Sequence, residues 1–70
     1  MNIICKTQDK TGTTWGVDVA NNTFTIVYKD PKSFGGRYWN VTSEKYNDPD
    51  PAIKALKKRV AEINEIDMEA

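Results

Sequence analysis

Apolar and polar residues alternate through much of residues 1–42, a pattern typical of strands with one buried face. The clearest alternation flanks Asn21-Asn22, where asparagine's tolerance of positive φ predicts a two-residue type I′ turn. That turn pairs Val19 with Phe24, Val17 with Ile26 and Trp15 with Tyr28. All six side chains then share one face, and a shift of one residue would divide them between two faces. The pattern therefore predicts a hairpin of strands over residues 13–20 and 23–29.

A second turn signal lies upstream at residues 9–12, Asp-Lys-Thr-Gly, with Asp and Gly at the first and fourth positions that a type I turn favours. A three-residue loop here places Cys5 opposite Val17 and brings Ile3 to the same apolar face. Residues 2–8 are therefore predicted as a strand that extends the hairpin.

A fourth strand is predicted over residues 37–42, after a loop rich in Pro and Gly at residues 30–36. We expect Trp39 and Val41 to point inward in this strand, because the opposite choice would bury the Asn40 amide.

A helix is predicted over residues 51–66, with Asp50 as its N-cap and Pro51 at its first position. Its narrow apolar stripe consists of Ile53, Leu56, Val60 and Ile63. The predicted fold class is α+β, a four-stranded antiparallel β-meander packed on one face by a C-terminal helix. Residues 1–66 then form a single small domain, and residues 67–70 an acidic C-terminal tail.

Composition places this chain of 70 residues among small globular proteins, with no apolar run of the ~20 residues that span a bilayer. No signal peptide is recognisable and there is one cysteine, so we expect a cytoplasmic protein. Ten basic residues balance ten acidic ones, but residues 60–70 contain four acids and no base. The chain is therefore a mildly basic body followed by an acidic end.

Catalytic chemistry is poorly represented. There is no histidine, and Cys5 has no partner base, so it is expected to be a core residue. Asp48 and Asp50 lack the further oxygen ligands of a calcium loop, and Gly35-Gly36 precedes a strand where a phosphate-binding loop needs a helix. We expect no enzyme activity, no cofactor and no metal site.

The second face of the sheet is the leading candidate for function. Four residues of this face are predicted to bind a partner, namely Ile4, Val27, Tyr38 and Asn40. The sequence thus favours a small non-catalytic protein-interaction module, a regulator, adaptor or inhibitor, that binds through this open face or an exposed helix flank. The partner is an unidentified protein or a second copy of the chain, and no membrane is involved.

The alternative is binding of nucleic acid by the sheet, with Lys6, Lys29, Lys32 and Arg37 as contacts. In plan the predicted fold resembles integrase arm-binding domains and plant AP2 domains, which place sheet side chains in the major groove. The resemblance is architectural, so it assigns no further residue. The zero net charge and Asp18 on the same face disfavour this alternative. A basic helix cluster, Lys54, Lys57, Lys58 and Arg59, is interpreted as solvated surface in preference to a strip that contacts phosphates together with Lys29, Lys32 and Arg37. The order of basic before acidic residues along the helix also allows an antiparallel helix pair that matches basic to acidic halves.

Overall fold

A computed structural model describes residues 1–32 and 34–65, with Phe34 described by its backbone alone. One antiparallel sheet has the strand order β1-β2-β3-β4, and a helix packs against it. The elements are β1 (Ile3–Gln8), β2 (Thr14–Ala20), β3 (Thr23–Lys29), a 3-10 turn (Phe34–Gly36), β4 (Asn40–Tyr46) and α1 (Pro49–Glu65). The predicted α+β meander is confirmed, whereas Ile66 and the acidic tail at 67–70 lie outside the described residues.

The core lies between the helix and one face of the sheet, called here the covered face. Its buried residues are Trp15, Val17, Ile26, Ala52, Leu56 and Val60. Ile26 and Leu56 are completely buried, and each contributes roughly 1.5–3 kcal/mol of hydrophobic stabilisation. The helix begins at Pro49, two residues before the predicted start, because the chain contains two Asp-Pro steps and the earlier one opens the helix. Ala52 is also part of the core, although the stripe predicted from Ile53 did not include it.

The central hairpin of β2 and β3 follows the predicted register. Asn21 and Asn22 have φ of 50° and 61°, as a type I′ turn requires. Trp15 lies opposite Tyr28, and their rings are 5.3 Å apart between centroids.

The first strand departs from prediction through a bulge. The turn at residues 9–12 forms, since the Gly12 N–H donates to the Asp9 carbonyl at 3.1 Å. The register then shifts between Ile4 and Thr7, so that Ile4, rather than Cys5, lies opposite Val17. Cys5 takes up the extra residue with φ of 53°, in the left-handed region. Because a single residue is inserted, the side chains of the residues before the bulge point to the face opposite to the one predicted.

The fourth strand is both shifted and reversed relative to prediction. It begins at Asn40 and ends at Tyr46, and Tyr46 packs against the core. Glu44, two residues earlier, forms an ion pair with Arg59 of the helix. Even-numbered residues of β4 therefore face the helix, and the inward placement predicted for Trp39 and Val41 is wrong. Tyr46, which lies beyond the predicted end of this strand at residue 42, is the aromatic anchor that sets the strand's orientation.

A second irregularity lies in the middle of β4. Thr25 pairs with Lys45 and Val27 with Val41, which leaves residues 42–44 opposite Ile26 alone. The Thr42 hydroxyl donates to the Ile26 carbonyl at 2.8 Å, so a side chain replaces part of the interrupted backbone ladder. Because the insertion is of two residues, alternation continues through it unchanged.

Candidate interaction surface

The structure separates the four residues predicted to bind a partner. Ile4 packs against the core on the covered face, because the bulge at Cys5 reverses its orientation. Val27 lies on the other face, called here the outer face, but its side chain is completely buried. Asn40 is half-buried on the covered side, where its amide donates to the Tyr28 carbonyl at 3.4 Å. Tyr38 alone is exposed as predicted, at 63%.

Gly16 explains why Val27 is buried on the face that the helix leaves uncovered. Gly16 lies directly opposite Val27 in the ladder and has no side chain. A Cβ at position 16 would lie 2.7 Å from Ile3 Cγ2 and 3.4 Å from Trp39 Cη2. The Trp39 ring thus reaches from the start of β4 to β2 and occupies the space above a missing side chain. Ile3, Val27 and Trp39 form a second, smaller apolar cluster on the outer face.

A small surface of mixed chemistry surrounds this cluster. The Lys29 ammonium lies 4.7 Å from the centroid of the Trp39 ring, within the range of a cation–π interaction. Beside the ring, Val41 is 59% exposed, although it is a branched apolar residue. We call Lys29, Tyr38, Trp39 and Val41 the outer patch. Trp39 and Val41 were not among the residues predicted to bind a partner, and the signal that could have found them is Gly16, an interior strand glycine that marks a close approach.

The residues predicted to contact nucleic acid are all accessible. Lys6, Lys32 and Arg37 are exposed, and Lys29 is half-buried beneath its contact with Trp39. Lys6 lies in the β1 bulge, and Arg37 immediately precedes the outer patch. These four cations are therefore spread from one edge of the sheet to the loop before β4.

The basic cluster on the helix does not act as one unit. Lys54, Lys57 and Lys58 are exposed, whereas Arg59 is half-buried between the helix and the sheet. The Arg59 guanidinium pairs with Glu44 and lies 5.5 Å from the centroid of the Trp15 ring. Arg59 therefore holds the helix to the sheet, and the three lysines are available to solvent.

The most highly organised polar group is Asp9, at the tip of the first hairpin. Its Oδ2 accepts a 2.8 Å hydrogen bond from Trp15 Nε1, and its Oδ1 accepts from Thr11 and from the Thr13 N–H. Burial acts to raise the pKa of this carboxyl, but the hydrogen bonds from Thr11, Trp15 and Thr13 outweigh it, so the pKa lies below its ordinary value of 3.8. These hydrogen bonds fix the conformation of residues 9–13 and tie them to Trp15 of β2, which indicates a structural role for Asp9.

The loop that Asp9 organises is also tied to the helix. The Lys10 N–H donates to Asn64 Oδ1 at 2.8 Å, which joins the hairpin tip to the last turn of α1. On its other side, Gly12 approaches Pro31 closely enough for a Cβ to lie 3.5 Å from Pro31 Cγ. The helix end, the first hairpin and the loop before β4 therefore meet at one end of the molecule.

A functional site can also be a cavity or a cluster of metal-binding side chains. Across residues 1–32 and 34–65 there is no cavity, and no group of three or more Cys, Asp or Glu side chains is placed to hold a metal ion. Cys5 is half-buried against the core. Within the same ranges, no helix has the length and hydrophobicity needed to cross a bilayer.

No family model, no curated protein and no solved structure matches this chain. Two of the exposed large apolar residues among those described, Tyr38 and Val41, belong to the outer patch, and the Lys29 ammonium lies against its Trp39 ring.

Proposed function

We propose that this chain is a non-catalytic protein-interaction module of the cytoplasm, and that it binds its partner through the outer patch. One observation carries the proposal: Val41 is largely exposed on a sheet face that the helix does not cover, and Tyr38, three residues before it in the chain, is exposed as well. Exposed apolar side chains that cluster beside polar ones are typical of interaction sites. This surface replaces the predicted one, since Ile4 and Val27 are occupied in packing.

The composition of the patch supports binding of another polypeptide. Aromatic residues and arginine are enriched at protein interfaces, and Arg37, Tyr38 and Trp39 are consecutive. Trp39 packs over Gly16, so it presents a ring that loses little conformational freedom on binding. The patch is small, which favours a transient contact over an obligate one.

Selection from a displayed library of random peptides tests this proposal without knowledge of the natural partner. The wild-type protein is expected to enrich peptides that no longer bind when Tyr38→Ala and Val41→Ser are combined. A matched variant, Lys57→Ala with Lys58→Ala, alters two exposed residues of the helix and should retain the same peptides. If the enriched peptides bind both variants as well as wild type, or if none is enriched, the outer patch is not the interaction site.

Nucleic-acid binding is kept as a second candidate because of one observation. All four predicted contacts, Lys6, Lys29, Lys32 and Arg37, are accessible or partly accessible, and Lys29 lies against the Trp39 ring. A labelled DNA duplex of mixed sequence provides the test, since counterion release requires binding to weaken steeply as salt rises. Binding that is lost with Arg37→Ala and declines with salt would put this candidate first, and no binding at low salt would reject it.

A further inference from the structure

We infer that the outer patch takes an acidic segment that carries apolar side chains, laid across the face of the sheet rather than added to its edge. The inference rests on the proposed function and specifies the partner's chemistry and its mode of docking.

Charge on the outer face is the first support. Four basic side chains lie on this face or near it in the chain: Lys29 and Lys45 are on it, Lys6 is in the β1 bulge opposite Gly16, and Arg37 immediately precedes Tyr38. The opposing carboxylate on the strands of this face is Asp18, which already accepts a hydrogen bond from the Asn2 N–H at 3.1 Å. A partner that brings carboxylates is attracted to this surface, and a basic partner is repelled.

The arrangement within the patch explains why the segment should combine acidic and apolar residues. Lys29 lies over the ring of Trp39, and Val41 is two residues further along the same strand face. A carboxylate that contacts Lys29 therefore places the side chain two residues away over Trp39 or Val41. An extended segment with an acidic and an apolar residue at positions i and i+2 matches that spacing, because side chains on one face of a strand repeat every two residues.

Both edges of the sheet are poorly suited to accepting another strand. On β1, Cys5 and Lys6 together lie opposite Gly16, which interrupts the regular row of backbone groups. On β4, residues 42–44 lie opposite Ile26, and the Glu44 N–H is engaged by the Thr42 hydroxyl at 3.2 Å. Bulges and charged residues are devices that protect sheet edges from strand addition. Docking on the face is the mode that remains for an extended segment.

The experiment compares three short labelled peptides by fluorescence anisotropy. The first has the sequence Asp-Glu-Leu-Phe-Glu-Asp-Leu-Asp, and the two others replace every acid by an amide or by Lys. We expect the acidic peptide to bind at least about tenfold more tightly than the amide peptide at ~50 mM salt, and to lose most of that advantage at ~300 mM. The Lys peptide should bind least.

Two charge-reversed variants locate the binding site. Arg37→Glu with Lys45→Glu alters the rim of the outer patch, and Lys57→Glu with Lys58→Glu makes the same change in net charge on the helix. The first pair should abolish the preference for the acidic peptide, and the second should leave it intact. Equal loss in both variants would mean that net charge alone attracts the peptide, and would overturn the inference.

The mode of docking is read from amide NMR of the labelled protein. Face docking should shift the Trp39 indole and Val41 methyl signals without creating new slowly exchanging amides in β1 or β4. New protected amides along either edge would contradict the inference while leaving the proposed function standing. If the library yields peptides that need the outer patch but are neutral or basic, the inference is likewise contradicted and the proposed function stands. If no peptide from the library needs the outer patch, both the inference and the proposed function are rejected.

Discussion

The central hairpin and the two edge strands differ in how far the alternation of apolar and polar residues determines the strand register. In β2 and β3, a two-residue turn sets the register, and each apolar residue lies opposite its expected partner, as Val17 lies opposite Ile26. In β1 and β4 the register shifts once within each strand. A central strand is paired on both sides, so an insertion there would disturb two ladders, while an edge strand accommodates it in one.

The two edge irregularities also differ from each other in a way that matters for function. The shift in β1 is of one residue, and it sends Ile3 to the outer face and Ile4 to the covered face. The shift in β4 is of two residues, and it leaves the alternation of exposed and half-buried residues intact. Inserting one residue thus changes which side chains are available to a partner. Inserting two residues changes only the distance along the strand between side chains of the same face.

The largest expected effect is on the free energy of unfolding, and it should differ between the buried centre of the sheet and its outer face. Ile26→Ala should lower the free energy of unfolding by about 2–4 kcal/mol, because it removes a completely buried side chain from the core. Val41→Ala on β4 should change it by less than about 0.5 kcal/mol. Urea denaturation followed by circular dichroism measures both, and similar losses for the two variants would show that the outer face contributes to the core.

The next effect concerns the turn that joins β1 to β2 in the first hairpin. Asp9→Asn should cost about 1–3 kcal/mol at neutral pH, because one amide oxygen replaces two carboxylate oxygens that accept from Thr11, Thr13 and Trp15. Asp30→Asn is the matched control, since an amide oxygen can still accept from the Lys32 N–H, and it should change stability by less than about 0.5 kcal/mol.

The same site predicts a dependence on pH. The pKa of Asp9 is lower in the folded protein than its ordinary value of 3.8, so its contribution to stability is complete above that value and is lost as pH falls through the lower, folded value. Between about pH 7 and pH 3, wild type should therefore lose more stability than Asp9→Asn. Parallel curves for the two proteins would exclude a lowered pKa.

A smaller effect tests the irregularity in β4. Thr42→Val should cost about 1 kcal/mol, because the Ile26 carbonyl and the Glu44 N–H both lose the Thr42 hydroxyl as a partner. Ser43→Ala, at the exposed neighbouring position, should have almost no effect. Equal stability of Thr42→Val and wild type would show that the hydroxyl does not support the interrupted ladder.

The smallest effect tests the bulge in β1 by comparing glycine with alanine at one position. Because Cys5 has positive φ, Cys5→Gly should be more stable than Cys5→Ala by about 1 kcal/mol. At Lys45, in a paired and regular part of β4, the order should be reversed, with Ala favoured by about 0.5–1 kcal/mol. The same order at both positions would mean that residue 5 is ordinary extended backbone.

Prediction from sequence succeeded where the conformation is determined by neighbouring residues, and it failed where contacts between elements distant in the sequence determine it. Asn21-Asn22 defines its turn through its own φ preferences, and the alternation on either side agrees with it. The bulge at Cys5 has no comparable signal, because neither cysteine nor its neighbours favour positive φ. In β4, the orientation follows from contacts of Glu44 and Tyr46 with the helix side, which alternation within residues 37–42 cannot reveal.

The candidate site shows the same division. Tyr38 was predicted to be exposed from its place in the pattern, and it is. Ile4 and Val27 were placed on an open surface by alternation, but tertiary packing buries Val27 completely and draws Ile4 into the core. Gly16 indicates a close approach in the sequence, yet only the fold shows that Trp39 makes it.

The two tryptophans lie on opposite faces of the sheet, which gives the molecule two separate optical reporters. Trp15 is buried and donates its indole N–H to Asp9, so its emission follows unfolding of the core. Trp39 lies beside Lys29 on the outer face, and its emission should respond to a ligand that approaches there. A Trp39→Phe variant would leave Trp15 as the sole source of tryptophan emission, and a Trp15→Phe variant the reverse. Folding and binding of this small domain can thus be followed independently without an added label.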